Sequence, residues 1–173
     1  MDVFIEEIVR KKKTQGDFLL VLGVLLLGSL ISAVLLAIVL PVFIKYGTFV
    51  LALVIAVIYG VYYVVTSVNV EYEYALVNAE LDVDKIINKT RRKRLATPNI
   101  REIEDFGTKK EPGFGRYLKN SSITKVYACR DKKAEDIFFL VYNQGDTKMM
   151  LIFNPSAEII DQIAKRNPQK RYI

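Results

Sequence analysis

From Phe18 to Ile44 no residue carries a charge, and after Lys45 a second uncharged run continues to Val70. Nothing else restricts the fold as strongly, because a helix crossing a ~30 Å hydrocarbon core needs roughly 20 apolar residues. The two runs predict one membrane span near residues 18–40 and another near 48–67. A pair of buried core helices is the competing reading. Core helices of that length are amphipathic, however, and these runs are apolar on every face. A cleavable signal peptide competes for the first run, but its apolar region should hold only ~7–15 residues and end at small ones. This run is longer and passes through Pro41 into the next, so it reads as a retained anchor.

Pro41 and Gly47 punctuate the connection, which makes the two helices antiparallel neighbours. Arg10, Lys11, Lys12 and Lys13 precede the first span, Arg91 to Arg94 follow the second, and the turn carries Lys45 alone. Lys and Arg resist translocation, so a multi-pass protein of the cell membrane is expected, with both termini cytoplasmic and the turn outside. Phe43, Tyr46 and Phe49 would mark the outer interface and Tyr59, Tyr62 and Tyr63 the inner one. Small residues recur every fourth position, as Ser29, Ala33 and Ala37 in the first span and Ala52, Ala56 and Gly60 in the second. In an antiparallel hairpin Ser29 would face Gly60, Ala33 would face Ala56 and Ala37 would face Ala52, which suits close packing in lipid. Such residues are also simply common in membrane helices. Ahead of the spans, residues 1–17 read as a basic leader, with Phe4, Ile5, Ile8 and Val9 on one side of a short interfacial helix. A frayed terminus carrying topogenic charge is the alternative.

Residues 69–173 hold most of the 25 Lys and Arg and read as one small domain. Val70, Tyr72, Tyr74 and Leu76 alternate with Glu71 and Glu73 as in a half-buried strand, and Asn78-Ala79 turns the chain into a second alternation through Ile87. A third strand is expected around Lys93–Thr97, broken by Pro98, with Ile100, Ile103 and Phe106 as inward anchors. Gly107 to Ser122, rich in Gly, Pro, Lys and Ser, reads as a long mobile loop. Strands follow over 123–130, 137–142 and 148–153. The last two flank Asn143-Gln144-Gly145-Asp146 and should be central, covered on both faces. One helix is signalled over about 155–166, with Asn154 as its cap, Pro155 at its first position, Ile159, Ile160 and Ile163 as its buried face, and Asn167-Pro168 as its stop. The expected class is α+β: about six or seven antiparallel strands closed by one terminal helix.

In that order, a two-span hairpin, a curled sheet and a closing helix resemble the bacterial pleckstrin-homology-like (PH-like) membrane proteins. The stretch Val70-Glu71-Tyr72-Glu73-Tyr74-Ala75-Leu76-Val77-Asn78-Ala79-Glu80-Leu81-Asp82-Val83-Asp84-Lys85-Ile86-Ile87 is similar to a family of small two-span membrane proteins of anaerobic Gram-positive bacteria. The similarity covers most of the chain. It implies a transmembrane hairpin followed by a cytoplasmic PH-like barrel domain, and it implies no activity.

The chemistry available is narrow. There is no His, no Trp and a single Cys, Cys129, which excludes a His-based triad, His ligation of zinc or haem, an internal disulfide and a CxxC site. Cys129 alternates with Tyr127 and reads as a small buried hydrophobe. Asp82 with Asp84, and Glu102, Glu104 and Asp105, read as solvated faces rather than acid–base or metal pairs. Gly113-Phe114-Gly115 lacks the following helix that a phosphate cradle needs. Asn88-Lys89-Thr90 and Asn120-Ser121-Ser122 match the glycosylation pattern but would lie on the wrong side of the membrane. No enzyme, cofactor or metal site is expected. The strongest local signal is basic: Arg91, Arg92, Lys93 and Arg94, joined by Lys109, Lys110, Arg116 and Lys119, each worth about 1 kcal/mol beside anionic lipid. A topogenic charge run is the competing reading. Nucleic acid is not expected, given the interspersed acids and the anchor. The sequence therefore points to a non-catalytic, membrane-anchored module that binds a protein partner, another copy or anionic lipid. The alternative is an accessory subunit of a larger membrane complex, acting through its spans.

Overall fold

The computed structural model describes residues 3–39 and 43–168. The turn at Pro41 lies outside them, and so do the side chains of Phe43 and Tyr46 in the expected outer belt. The chain forms two compact units, one of residues 13–69 and one that joins residues 1–12 to residues 70–173.

The first unit is a helix pair, α1 (Gln15–Val39) and α2 (Phe43–Ser67). Both helices are long and apolar enough, by length and composition, to cross a membrane. Thr14 and Asp17 start α1 reciprocally: the Asp17 N–H donates to Thr14 Oγ1 at 3.2 Å, and the Thr14 N–H donates to Asp17 Oδ2 at 2.9 Å. The contact between the helices does not use the expected small residues. Ser29, Ala33, Ala37, Ala52, Ala56 and Gly60 are all exposed, and a Cβ built on Gly60 would meet nothing within 4 Å. Gly28 is the close approach instead, where a Cβ would lie 2.4 Å from Val61 Cγ2. Leu35 packs on Val50 and Val54. Gly28 opposite Val61 and Leu35 opposite Val54 have the same index sum as the expected pairs, so only the face differs. On α2 the seam is Val50, Val54, Val57 and Val61, the 4-3-4 spacing that β-branched side chains fill as knobs. The small residues lie one position round the helix.

The second unit corrects the reading of the leader. Phe4–Arg10 is not an interfacial helix but strand β1, antiparallel to β2 (Val70–Val77) from Phe4↔Val77 to Arg10↔Glu71. With β3 (Glu80–Ile87) and β4 (Arg91–Ala96) it makes a four-stranded antiparallel sheet in the order β1-β2-β3-β4. Val9 is buried in the core, with Val3 and Ile5 packed against it. The strand escapes alternation because Glu7 takes an inward position, where its carboxylate accepts the Ser156 N–H at 2.9 Å, while Phe4 and Ile8 stay outside. The two-helix unit is thus an insertion between two strands that pair directly.

The second sheet holds β5 (Ile103–Thr108), β6 (Thr124–Ala128), β7 (Phe138–Gln144) and β8 (Thr147–Phe153) in the order β5-β7-β8-β6. There are eight strands in two sheets with no closed barrel among the described residues, and β6 runs parallel to β8 rather than antiparallel. Between the sheets lie Tyr74, Leu76, Leu81 and Val83 with Leu140, Leu151 and Phe153, closed by Ile159 and Ile163 of α4 (Ala157–Arg166). Ser156, not Asn154, caps α4, its Oγ accepting from the Ile159 N–H at 3.5 Å.

The expected mobile loop contains helix α3 (Pro112–Lys119). Phe114 and Tyr117 of α3 pack on Phe139, covering a second cluster of Ile123, Cys129, Ile137, Val141, Met150 and Ile152 on the far face of the second sheet. Two of its glycines, Gly107 and Gly113, serve close packing, while a Cβ on Gly115 would meet nothing within 4 Å. A Cβ on Gly107 would lie 2.2 Å from the Glu111 carboxylate, and one on Gly113 would lie 3.3 Å from Phe139.

Candidate functional site

The cationic residues singled out by the sequence separate into four groups. Alternation along β4 puts Arg92 and Arg94 on the outer face of the first sheet, opposite Ile86 and Asp84. Arg92 Nη2 lies 2.7 Å from Glu73 Oε2, Arg94 Nε lies 2.5 Å from Asp84 Oδ1, and Arg94 Nη1 lies 2.5 Å from Asp82 Oδ1. Glu73 and Asp84 are buried beneath these guanidiniums. The hydrogen bond to Asp84 raises Arg94 further above its usual pKa, against a smaller desolvation effect. Arg10 pairs with Glu71 at 2.8 Å at the end of the same face. The strongest cationic run is therefore half spent on its own sheet, and the Asp82 and Asp84 pair is not a solvated face but the partner set of Arg94. A buried carboxylate needs such a partner, because alone it would lose its hydration without return.

Arg91 and Lys93 alternate onto the opposite face, beside Ile87 and Lys85. Lys109 is committed to the backbone: its Nζ donates to Lys133 O at 3.2 Å and Ala134 O at 2.9 Å. The remaining group sits on and before α3. Arg116 lies over the Tyr117 ring at 4.9 Å, and Lys110 and Lys119 are exposed with no ion-pair partner among the described residues.

The buried polar groups are structural. The Tyr74 hydroxyl donates to Ala128 O and accepts from the Asn154 N–H at 3.3 Å, which pins β2 to the end of β8. The Asn154 side chain accepts from Arg130 N–H and donates to Asp136 O, both at 2.8 Å. That work, invisible in the sequence, is why Asn154 is unavailable as a helix cap. Burial lifts the Tyr74 hydroxyl far above the usual tyrosine range, and lifts Tyr72 and Tyr142 by the same cause. Burial also pushes the Cys129 thiol up, which disfavours the thiolate a nucleophile would need. No group of acidic or Cys side chains suited to a metal occurs among the described residues. A cavity of about 350 Å³ opens at the base of the helix pair, lined by Lys13, Thr14, Asp17, Phe18, Val21 and Val68. Its Thr14 and Asp17 are engaged in the reciprocal cap of α1.

Comparison with curated proteins and with solved structures finds no match. A family model does match: the one described as a bacterial PH-like domain, DUF6106, over residues 1–173. PH-like domains are a non-catalytic fold as a rule, and membership suggests an interaction module. The helix pair falls inside the matched region, as its insertion between β1 and β2 requires. Two packed sheets closed by a C-terminal helix, matched from end to end, place this chain in the bacterial PH-like domain family.

Proposed function

We infer that this protein is a membrane-anchored interaction module whose cytoplasmic PH-like domain binds a protein partner or anionic lipid. One observation carries the reading: the two apolar helices are inserted between paired strands, with Arg10 opposite Glu71. The chain enters and leaves the helix pair from neighbouring positions of one sheet, so both ends of a spanning hairpin lie on one side. The basic run at Arg10–Lys13 and the one at Arg91–Arg94 support a cytoplasmic location for that side. Catalysis is not part of the reading, because nothing at the candidate positions pairs a nucleophile with a base.

The lipid arm rests on Lys110, Arg116 and Lys119, with Lys93 as a further cation. Arg92, Arg94 and Lys109 contribute little to it, since their charges are already matched or bonded. The test uses the full chain in mild detergent, offered equal phosphatidylglycerol and phosphatidylcholine, with retained lipid counted by native mass spectrometry. Excess phosphatidylglycerol that disappears in Lys110→Gln/Arg116→Gln/Lys119→Gln supports the lipid arm. No excess, or one indifferent to these substitutions, leaves the protein-partner arm, which co-purification from native membranes tests.

A second reading, an accessory subunit acting through its spans, is favoured by the six small residues that face away from the hairpin seam. Under that reading Gly60→Leu abolishes co-purification with membrane partners while the PH-like domain stays folded.

A further inference from the structure

Eight strands in two open sheets leave four edges, and open edges invite pairing with another chain unless something blocks them. Edge strand β4 carries four consecutive cations, Arg91 to Arg94, which repel a second copy. Strand β5 has a register irregularity between Ile103 and Asp105. Strand β6 ends against Lys12, whose N–H donates to Arg130 O at 2.8 Å. Strand β1 carries the inward Glu7, which is bonded to the Ser156 N–H, but from Phe4 to Arg10 it has no register irregularity and no run of like charge along its open edge.

The direction of its backbone groups follows from two hydrogen bonds. Lys11 N–H donates to Val70 O at 3.0 Å, and Val3 O accepts from Asn78 N–H at 2.9 Å, so the odd-numbered groups point to β2. The N–H and C=O of Phe4, Glu6, Ile8 and Arg10 therefore point away from the sheet. Their side chains share its outer face, where Phe4 is 68% and Ile8 53% exposed. Glu6 and Arg10 flank Ile8 with opposite charge at equal spacing.

We propose that β1 is the seam of a homodimer, in which two copies pair antiparallel about Ile8. In that register Ile8 faces Ile8 of the second copy, and Glu6 faces Arg10 in both directions. The strand is thus complementary to itself, the condition a twofold interface imposes. Arg130 already holds the position beside Lys12 that the partner's Phe4 would take, so pairing is confined to Glu6–Arg10 and the partner's chain before Glu6 turns aside; the two four-stranded sheets then join into one of eight. Arg10 keeps its contact with Glu71 and gains a second carboxylate from the partner copy, with side-chain exposure of 76% before pairing.

The test uses the full chain in nanodiscs and in mild detergent, with Cys129→Ala removing the native thiol. Residues that exchange both ladder hydrogen bonds lie about 5.5 Å apart by Cα, inside the disulfide range of roughly 4.4–6.8 Å. Ile8→Cys should form a disulfide-linked dimer on mild oxidation in most chains, and Phe4→Cys should not. Light scattering should give a dimer, and Glu6→Arg should weaken association about tenfold, because symmetry turns two ion pairs into like-charge contacts at once. Monomeric particles overturn the proposal. So does cross-linking in Phe4→Cys without cross-linking in Ile8→Cys. An Ile8→Cys thiol that stays unlinked, and is shielded from an impermeant maleimide only in bilayers, also overturns it and makes the face a membrane contact.

Discussion

Replacing Gly28 by Ala tests the helix-pair seam at a single atom. The added Cβ would lie 2.4 Å from Val61 Cγ2 and 3.7 Å from Val61 Cβ. Relief requires Val61 to rotate or the helices to part by about 1 Å, and a β-branched side chain in a helix has one strongly preferred rotamer of roughly 90% occupancy. Overpacking of this kind costs about 1–3 kcal/mol. Ala returns up to about 1 kcal/mol of helix propensity over Gly. The net expectation is a loss of about 1–2 kcal/mol, read by unfolding the detergent-solubilised protein with increasing SDS and following helicity. Gly60→Ala takes only the propensity gain, because its Cβ meets nothing within 4 Å, so it should be neutral or stabilising. Val61→Ala added to Gly28→Ala removes the clashing methyl and should recover most of the loss. An equal or larger loss at Gly60 would refute the seam and restore the small-residue stripe as the contact.

Arg94→Gln leaves the buried Asp84 carboxylate short of its partner and should cost about 1–3 kcal/mol in urea unfolding, whereas Lys93→Gln beside it should stay within about 0.5 kcal/mol. Tyr74→Phe strands Ala128 O and the Asn154 N–H and should cost about 1–3 kcal/mol near neutral pH. Tyr72, Tyr74 and Tyr142 have folded pKa values above the ordinary tyrosine value of 10.0. Their contribution is therefore complete below pH 10 and falls as pH rises beyond it, because the unfolded phenols ionise first. A urea midpoint measured from pH 8 to 11 should decline above 10, and less steeply in Tyr74→Phe. Gly107→Ala displaces the Glu111 carboxylate, which accepts from Thr108 N–H at 2.8 Å. Losing that bond should cost about 1 kcal/mol, seen as faster amide exchange at Thr108.

What the sequence made legible was local periodicity. The uncharged runs mark α1 and α2, the alternation from Val70 marks β2 and β3, and the apolar runs around Gly145 mark β7 and β8 as central strands covered on both faces. What it hid depends on partners distant in the chain. Residues 4–10 become a strand only because Val70–Val77, beyond the whole helix pair, offers an edge. Gly107 and Gly113 look like signs of mobility until Glu111 and Phe139 are seen filling the space a Cβ would need. Four cations in a row suggest a binding patch, yet strand alternation sends Arg92 and Arg94 to carboxylates on β2 and β3. The acids were visible as alternating Glu and Asp, and matching them to β4 required the register.

The proposed function threads a membrane hairpin into the first strand pair of a PH-like domain. Its most direct test is accessibility in intact cells, with single cysteines in a Cys129→Ala background at Phe4, Tyr46 and Lys110, probed by an impermeant maleimide. Tyr46→Cys should react from outside, while Phe4→Cys and Lys110→Cys should react only after the cells are permeabilised. Phe4 and Lys110 reporting opposite sides, or Tyr46 reporting the same side as both, would contradict it.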